Sequence, residues 1–519
     1  MTRGKIPGVW LLLALLLITL TTSVRGQEKD SKSGEKPAEQ APTPPKEESS
    51  VTDHTIKIGG QTIPYKATAA TILIKNDKDE PTALVYYTAY TRTDAKDMSQ
   101  RPVSFLYNGG PGSSSVWLHM GSVGPRRVMT INAGATPPAP YRLMDNPDCL
   151  LDKSDLVFID PVGTGFSHAV GKAQDKDFWG VDPDVKSHAQ FIATYISRNN
   201  RWNSPKFLIG ESYGTFRNAA LANYLQGHDN LYLNGIVMVS AVLDLGNISF
   251  YPGQDLAYIL YLPSYAATAW FHKTLKDRPE NLNAFLDEAR KFARGEYADA
   301  LMKGDELSKA EKAEIVKKLA RFTGLSEDYL DKANLRVRLF QFMQELQRNR
   351  GLTTGRLDAR FAGPTYNLIG EAADYDPQDT SISGAFVGAL NTYIREELKF
   401  GQDKKYKPAA DFEGNHWDWK HEGNDFGYFP GSPSVVLDLV QAMISNPRLK
   451  VEFEDGIYDL ATPFMEAEYS VDHMGLPENI RKNVWHQYYE AGHMMYLHDE
   501  DLAKLKKNVA NFIELASKQ

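Results

Sequence analysis

Ser212 stands between two glycines in LIGESYGT, residues 208–215. The segment from Gly210 to Gly214 matches the G-x-S-x-G pattern, in which a serine occupies a sharp turn between a strand and a helix. Glycines two residues to either side let the backbone pass closely there without side-chain clashes. The apolar run KFLIG precedes the serine, and the helical pattern TFRNAALANYLQ follows it. The segment therefore predicts Ser212 as a nucleophile.

A serine nucleophile needs two partners elsewhere in the chain. Its hydroxyl attacks poorly near neutral pH unless a histidine removes the proton and a carboxylate orients that histidine. In chains with this pattern the acid and then the histidine follow the serine. Asp459 follows the apolar run LKVEFEDGIY and His493 follows NVWHQYYEAG, so both are expected on loops at strand ends. Asp455, His486 and His498 are the competing candidates.

A second glycine-rich loop, YNGGPGSSS at residues 107–115, also follows an apolar run. Attack on a carbonyl creates an oxyanion that needs backbone N–H donors, and such a loop could supply one. It could equally hold a phosphate. The loop has no lysine, and the chain has no G-x-x-x-x-G-K-[ST] motif, which disfavours a nucleotide site.

The elements around these loops alternate between strands and helices. HTIKIGGQTIPYKATAATILIK, residues 54–75, indicates antiparallel strands, and four later apolar runs each end in a glycine-rich or polar loop. Helical patterns such as VKSHAQFIATYISRNN lie between these runs. The alternation predicts an α/β fold with a mostly parallel central sheet and helices on both faces. In such sheets the ligand site lies at the carboxyl ends of the strands.

Five segments are expected along the chain. Residues 1–26, with basic residues before LLLALLLITL, have the layout of a secretory signal peptide, although an uncleaved anchor stays open. Residues 27–54 are charged and Pro-rich and predict a disordered linker, either a tether or a pro-segment. Residues 55–251 and 431–519 are expected to form the two parts of the core. The helix-rich residues 252–430 are either a separate domain or a helical cap inserted over the sheet's active edge.

Charge and cysteine usage exclude some classes of protein. The formal net charge of the 519-residue chain is -8, so it has no basic excess for binding nucleic acid. Cys149 is the only cysteine, which excludes an internal disulfide and a zinc site built from cysteines. An exported protein without disulfides fits a bacterial envelope, so a periplasmic or secreted location is expected, with no stable membrane span after signal cleavage.

NGGPGSSS, FIDPVGTGFS, GESYG, GIYDLATP and GHMMY together resemble the serine carboxypeptidase family. Members of that family are α/β hydrolases with a helical insertion. The resemblance implies a serine-type carboxypeptidase that releases C-terminal residues from peptides with a free carboxylate through an acyl-enzyme, and it implies no metal or other cofactor. It assigns Ser212 as the nucleophile, His493 as the base and Asp459 as the orienting acid.

The same resemblance supplies the other roles in the site. The N–H groups of Gly110 and Tyr213 would form the oxyanion hole, and Asn108, Gly109 and Glu211 would hold the substrate's terminal carboxylate. A protonated Glu211 could donate a hydrogen bond to that carboxylate, whereas two ionised carboxylates would repel each other.

Several positions depart from the family's pattern. Ser113 stands where the family usually has a cysteine, and Asp160 is followed directly by proline where a glutamine is often found. Ser122 and Val123 stand near the usual place of a second acid that pairs with the elbow glutamate. A serine hydroxyl could donate to Glu211 but cannot share a proton in the same way. A strongly acidic pH optimum therefore does not follow from the family pattern.

Three alternatives stay open at this point. The same triad could serve an acyltransferase or an esterase, and a hydrolase fold without catalysis could serve as a binding protein. The aromatic and charged residues 412–426 could line a specificity pocket or form an exposed turn. The oligomeric state is not predicted.

Overall fold

Alternating apolar residues build a long antiparallel ribbon at the start of the described chain. The computed structural model describes residues 45–414, 416–422 and 433–518. The strands are β1 Ser49–Ile58, β2 Gln61–Lys75, β3 Pro81–Arg92, β4 Val103–Tyr107, β5 Arg126–Val128, β6 Leu143–Asp145, β7 Asp155–Ile159, β8 His168–Ala169, β9 Lys206–Glu211, β10 Gly235–Val239, β11 Leu352–Thr354, β12 Ala362–Pro364, β13 Lys450–Gly456 and β14 Val484–Tyr489. β1 pairs antiparallel with β2, as predicted.

Helices follow most of the later strands. They are α1 Val116–Gly121, α2 Val181–Arg198, α3 Tyr213–His228, α4 Leu256–Phe271, α5 Leu282–Phe292, α6 Ala298–Lys303, α7 Lys309–Thr323, α8 Glu327–Lys332, α9 Leu339–Glu345, α10 Pro377–Glu396, α11 Val436–Ser445, α12 Phe464–Asp472, α13 Glu478–Arg481 and α14 Asp499–Ser517. Short 3-10 turns connect several of them.

Ten strands of the described residues form one central sheet, in the order β1-β2-β3-β7-β4-β9-β10-β13-β14, with β8 paired to β3. The pairs from β7 to β14 are parallel, and those among β1, β2, β3 and β7 are antiparallel. β9, which leads to Ser212, lies between β4 and β10. β13 and β14, which lead to Asp459 and His493, are neighbours. The parallel order therefore brings the three predicted loops to one edge of the sheet.

Successive side chains of the central strands enter two different cores. Ile209 of β9 packs in the cluster that includes Phe512 of α14, whereas Leu208 packs in the cluster that includes Phe216 of α3. This alternation is the period of two expected of a strand covered on both faces. Full burial of each such side chain stabilises the fold by about 1.5–3 kcal/mol relative to exposure.

The helix-rich region between β10 and β13 has a core of its own, in which Phe285 of α5 stacks on Phe322 of α7. A capping box begins α7, in which the Ser308 hydroxyl accepts from the Glu311 N–H and the Glu311 carboxylate accepts from the Ser308 N–H. Within LRVRLFQFMQELQRN the helix α9 covers only Leu339–Glu345. Pro44–Gln519 form one compact unit, so the division at residues 252 and 430 stays an interpretation of the sequence.

The boundary predicted at residue 54 is too late. β1 begins at Ser49, and residues 49–54 pair through their backbone with residues 65–70 of β2. The side chains of SSVTDH are mostly polar, and a ladder of backbone hydrogen bonds orders a strand without requiring apolar side chains on both faces. The predicted signal peptide and the linker up to residue 44 lie outside the described residues.

Two neighbouring carboxyl groups are buried on β13, the strand that leads to Asp459. Glu452 accepts a hydrogen bond from Trp485 Nε1 at 2.6 Å, and Glu454 accepts one from the Tyr489 hydroxyl. Burial, and then the charge of Glu452, raise the pKa of Glu454 well above its usual range. A proton on Glu454 removes the repulsion between the two groups.

We expect the melting temperature to fall as the pH rises from about 4.5 to about 8. Burial raises the pKa of Asp160 to about 6 and that of Glu466 to about 8. A carboxyl whose folded-state pKa exceeds its unfolded value stabilises the fold at low pH, and this contribution is lost as the pH rises through the folded-state pKa. Thermal unfolding followed by circular dichroism across a pH series measures the slope.

Glu454→Gln removes a further buried carboxyl with a raised pKa and is expected to flatten that slope. Glu306→Gln, at an exposed position between α6 and α7, is the control and is expected to leave it unchanged. A melting temperature that rises over this pH range would contradict the prediction.

Candidate active site

Ser212 lies in a strained turn between β9 and α3. Its φ of 59° and ψ of -129° are rare for a residue with a side chain and cost of order 1–3 kcal/mol. The Ser212 N–H donates to the Val239 carbonyl at 3.0 Å. The Thr215 N–H and hydroxyl both donate to the Ser212 carbonyl, at 2.8 and 2.7 Å. These bonds fix the turn that presents the serine hydroxyl.

Glycines are required around this turn because backbones nearly touch there. A Cβ on Gly210 would lie 2.2 Å from the Gly214 carbonyl oxygen. A Cβ on Gly109 would lie 2.3 Å from the Tyr213 nitrogen. The loop after β4 thus passes directly over the start of α3, as a site shared by the two loops requires.

Asp459 and His493 form a buried hydrogen-bonded pair. His493 Nδ1 lies 2.7 Å from Asp459 Oδ2. The other carboxylate oxygen accepts the N–H groups of Ala461 and Thr462, at 2.7 and 3.0 Å. The Ser240 hydroxyl donates to the His493 carbonyl at 2.6 Å. Asp459 therefore fixes the orientation of the imidazole through Nδ1, and Nε2 remains as the second nitrogen of the His493 ring.

The environment of His493 keeps it basic. Burial by itself lowers the pKa of the imidazole, but the charge and hydrogen bond of Asp459, together with the charge of Glu211, outweigh it. The pKa of His493 is therefore raised above its ordinary value.

Ser212 and His493 line one cavity of about 260 Å³. In the described part of the chain no hydrogen bond joins the serine hydroxyl to the imidazole. Such contacts are often long in a free enzyme and shorten when substrate binds. The arrangement supplies the groups for deprotonating a hydroxyl beside a bound ligand.

The N–H groups of Gly110 and Tyr213 are free to receive a ligand atom. Neither of them donates to another group among the described residues. Tyr213 is also the first residue of α3, so its N–H lies at the positive end of the helix dipole.

Glu211 is buried beside Ser212 and accepts hydrogen bonds on both oxygens. Asn108 Nδ2 donates to Oε1 at 2.9 Å, and the Tyr496 hydroxyl donates to Oε2 at 2.7 Å. Asn108 is oriented in turn by the Leu118 N–H, which donates to its Oδ1 at 3.0 Å. Burial raises the pKa of Glu211 to about 7, against the opposing effects of His493 and these two donors.

The hydroxyl beside Glu211 belongs to Tyr496 and not to Ser122. Ser122 Oγ donates to the Leu118 carbonyl at 2.6 Å, because that carbonyl lies one turn earlier at the end of α1. Val123 is buried in the core. The expectation of a Ser122 donor is therefore wrong.

Asp160 supports the glycine-rich loop from below. Its Oδ1 accepts the N–H and the hydroxyl of Ser115, at 2.8 and 2.7 Å. Burial raises the pKa of this carboxyl to about 6.

The competing candidates form pairs of their own away from this cavity. Asp455 bonds His486 at 2.7 Å across β13 and β14, and His498 bonds Asp501 at 2.7 Å at the start of α14. None of these residues lines the cavity that contains Ser212.

Part of the aromatic segment 412–426 reaches the cavity. Trp419 lines it, and its ring centroid lies 6.0 Å from that of Tyr213. Residue 415 and residues 423–426 lie outside the described residues. Most of the described part is exposed, and Trp419, itself 38% exposed, is the one described residue of the segment that lines the cavity.

The described ranges hold no cluster of three or more His, Cys, Asp or Glu side chains suited to a metal ion. None of the helices found there combines the length and apolar character needed to cross a bilayer.

A comparison with known families decides the identity. The family model described as serine carboxypeptidase matches residues 67–513. The chain belongs to the serine carboxypeptidase family. The predicted family and enzyme class are confirmed.

Known serine carboxypeptidases include two informative relatives. The chain is 28% identical over 193 residues to the pheromone-processing carboxypeptidase KEX1 of Saccharomyces cerevisiae, which covers 36% of this chain and a quarter (25%) of that relative's length. The crystal structure of Kex1(delta)p, a prohormone-processing carboxypeptidase from Saccharomyces cerevisiae, superposes with a TM-score of 0.54 at 16% identity. That match covers 87% of this chain and 91% of the other. It confirms the predicted α/β-hydrolase fold.

Sequence analysis missed two residues of this serine carboxypeptidase's site. Tyr496 lies in GHMMY, three residues after His493, so the quoted motif contained a signal for it. Arg356 lines the cavity from the region between β10 and β13, where no periodicity or motif distinguishes it. Its position follows only from the tertiary structure.

Proposed function

We propose that this chain is an exported serine carboxypeptidase that releases C-terminal residues from peptides through an acyl-enzyme on Ser212. The observation that carries the proposal is the buried carboxyl of Glu211, held by Asn108 and Tyr496 next to the strained serine. A hydrolase that binds an internal peptide segment has no need of a protonated carboxyl at this place. Export rests on the predicted signal peptide at residues 1–26.

The first step is acylation. His493 Nε2 accepts the Ser212 proton while Oγ attacks the carbonyl of the last peptide bond, and Asp459 holds the ring and stabilises the imidazolium. The oxyanion binds the N–H groups of Gly110 and Tyr213. The imidazolium then gives its proton to the leaving nitrogen, and the C-terminal residue departs with a free amino group.

Deacylation uses the same groups in reverse roles. His493 takes a proton from water, whose oxygen attacks the ester carbonyl on Ser212. The tetrahedral intermediate collapses, the serine is reprotonated, and the shortened peptide leaves with a new terminal carboxylate. That product can enter the cycle again, so sequential trimming is expected.

The terminal carboxylate is recognised by Asn108, Gly109 and a protonated Glu211. Donation from a neutral carboxyl to a carboxylate is a charge-assisted hydrogen bond, roughly twice as strong as a neutral one. An ionised Glu211 would instead repel the substrate. Binding of the free acid thus requires the proton on Glu211.

We expect kcat/KM for free-acid peptides to fall as the pH rises through about 7, the pKa of Glu211. The acid limb reflects protonation of His493, so the two coupled groups give a bell-shaped profile. Glu211→Gln keeps a neutral donor at every pH and is expected to remove the alkaline limb. Initial rates on one dipeptide across a pH series measure both limbs.

Tyr496→Phe is the matched variant. The Tyr496 hydroxyl lowers the pKa of Glu211, so its removal is expected to move the alkaline limb to higher pH. An alkaline limb that persists unchanged in Glu211→Gln would show that Glu211 does not control it.

Mass spectrometry of a peptide mixture after incubation tests the activity directly. A ladder shortened from the C-terminus, with free amino acids released, supports the proposal. An acyltransferase or esterase with the same triad would release no amino acids from unmodified peptides. A non-catalytic binding protein would leave Ser212 unlabelled by a fluorophosphonate at any pH from acid to neutral.

A further inference from the structure

Arg356 places a guanidinium on the cavity that Ser212 and His493 share. In the described ranges its side chain has neither an ion pair nor a hydrogen bond. The neighbouring Arg360, in contrast, pairs with Asp358 at 2.6 Å. Arg356 is only half-buried, and its charge acts on Asp376 and on His493.

The backbone around Arg356 is fixed to both catalytic loops. The Leu460 N–H donates to the Arg356 carbonyl at 3.0 Å, and the His493 N–H donates to the Leu357 carbonyl at 2.7 Å. The Leu357 N–H donates to Asp376 Oδ2, at the start of α10, at 2.9 Å. The guanidinium therefore extends from a rigid base, as a recognition group requires.

The residues that line the cavity differ in chemistry. One set, here called the apolar wall, consists of Val242, Leu245, Ile248 and Trp419. The other, called the charged wall, consists of Trp117, Arg356, Leu357 and Asp379.

The charged wall adjoins the groups proposed to bind the terminal carboxylate. Trp117 precedes Leu118, whose N–H orients Asn108. The Trp117 ring packs against Phe386 of α10, with centroids 5.3 Å apart. The leaving residue carries the terminal carboxylate, so we expect its side chain to lie against this wall.

The roles at the terminal carboxylate are already proposed for Asn108, Gly109 and Glu211, and in the described residues the hydrogen bonds of Glu211 are to Asn108 and Tyr496. The charge of Arg356 is among the influences that lower the pKa of His493. Arg356 is therefore positioned for a second anionic group on the ligand.

We propose that Arg356 selects an acidic side chain on the C-terminal residue that is released. The inference rests on the proposed carboxypeptidase function and names a substrate class for it. A guanidinium binds a carboxylate through two parallel hydrogen bonds, which a neutral amide of the same shape cannot match. Asp379, on the same wall, is exposed and accepts the Ser383 hydroxyl at 2.8 Å, and in the described residues it forms no ion pair with Arg356.

Four peptides that differ only in their last residue test this inference. We expect the wild-type enzyme to release Glu with a kcat/KM about 10- to 100-fold above that for Gln, the uncharged isostere. Peptides ending in Leu and Lys give the apolar and basic references. In Arg356→Gln the Glu-to-Gln ratio is expected to fall close to one.

The Glu-to-Gln ratio of kcat/KM also distinguishes recognition of the substrate side chain from a change in the pKa of His493. Loss of the Arg356 charge raises the pKa of His493 and changes the rates of all four peptides together, which cancels in the ratio. Arg356→Lys keeps the charge and is expected to retain part of the preference. Arg350→Gln is the matched control, since Arg350 is exposed in the same region and does not line the cavity.

Two results would overturn the inference while the proposed function stands. In one, all four C-terminal residues are released, and the Glu-to-Gln ratio of kcat/KM is the same in the wild type and in Arg356→Gln. The other is an acidic preference at the penultimate residue, which would place Arg356 on the acyl side. If the wild type releases none of the four residues, the proposed function fails and the inference fails with it.

Discussion

Ser212→Ala is expected to lower kcat/KM for C-terminal release by about 10⁵- to 10⁶-fold, the loss found when a serine nucleophile is removed from a triad enzyme. The remaining donors and the binding groups cannot replace the covalent step. Release of amino acids, followed by mass spectrometry with a long incubation, measures the residual rate. Fluorophosphonate labelling is expected to disappear with the activity.

The fold is expected to survive this change. The strained turn at Ser212 is held by backbone bonds to Val239 and Thr215, which alanine also makes. The melting temperature is therefore expected to stay close to that of the wild type. Ser197→Ala, at an exposed position on α2, is the control for activity. Retained release by the Ser212 variant would exclude the acyl-enzyme mechanism.

Amidation of the peptide C-terminus is expected to lower kcat/KM by roughly 10²- to 10⁴-fold. The amide removes the negative charge that Asn108 and protonated Glu211 would bind, and each charge-assisted bond contributes about 1.5–3 kcal/mol. Paired peptides that differ only in this group, assayed below pH 7, give the ratio.

Asn108→Ala tests whether Asn108 contributes to the preference for free-acid over amidated peptides. It removes one of the two side chains at the terminal carboxylate, so the ratio of acid to amide rates is expected to narrow. Equal rates on both peptides in the wild type would exclude an exopeptidase while leaving a serine hydrolase in place.

Much of the fold was predictable because its signals are local. Each parallel strand is a short apolar run that ends in a loop, and Ser212, Asp459 and His493 all follow such runs. The carboxyl ends of the strands in a parallel sheet lie at one edge. Asp459 and His493 could therefore be predicted to lie near Ser212, although they follow it by 247 and 281 positions in the sequence. The start of β1 escaped because it is ordered by backbone pairing and not by an apolar pattern.

The finer structure of the site depends on contacts between distant residues. Tyr496 reaches Glu211 across 285 positions of sequence, and no local pattern encodes that contact. Ser122 was expected near Glu211 from its place in the motif. A serine at the end of a helix instead donates to the backbone carbonyl one turn earlier, as Ser122 does to Leu118. Arg356 lies in the region between β10 and β13, where the helices differ in length. The sequence alone therefore could not predict that Arg356 lines the cavity.

The carbonyls of Arg356 and Leu357 each receive an N–H from a loop about a hundred residues or more further along the chain. Removal of the inserted helices would leave the N–H groups of Leu460 and His493 without acceptors, at a cost of about 1–3 kcal/mol for each buried donor. An engineered minimal enzyme without the insertion should therefore lose the alignment of its imidazole. Redesign of selectivity is better pursued by exchanging single side chains than by shortening the polypeptide.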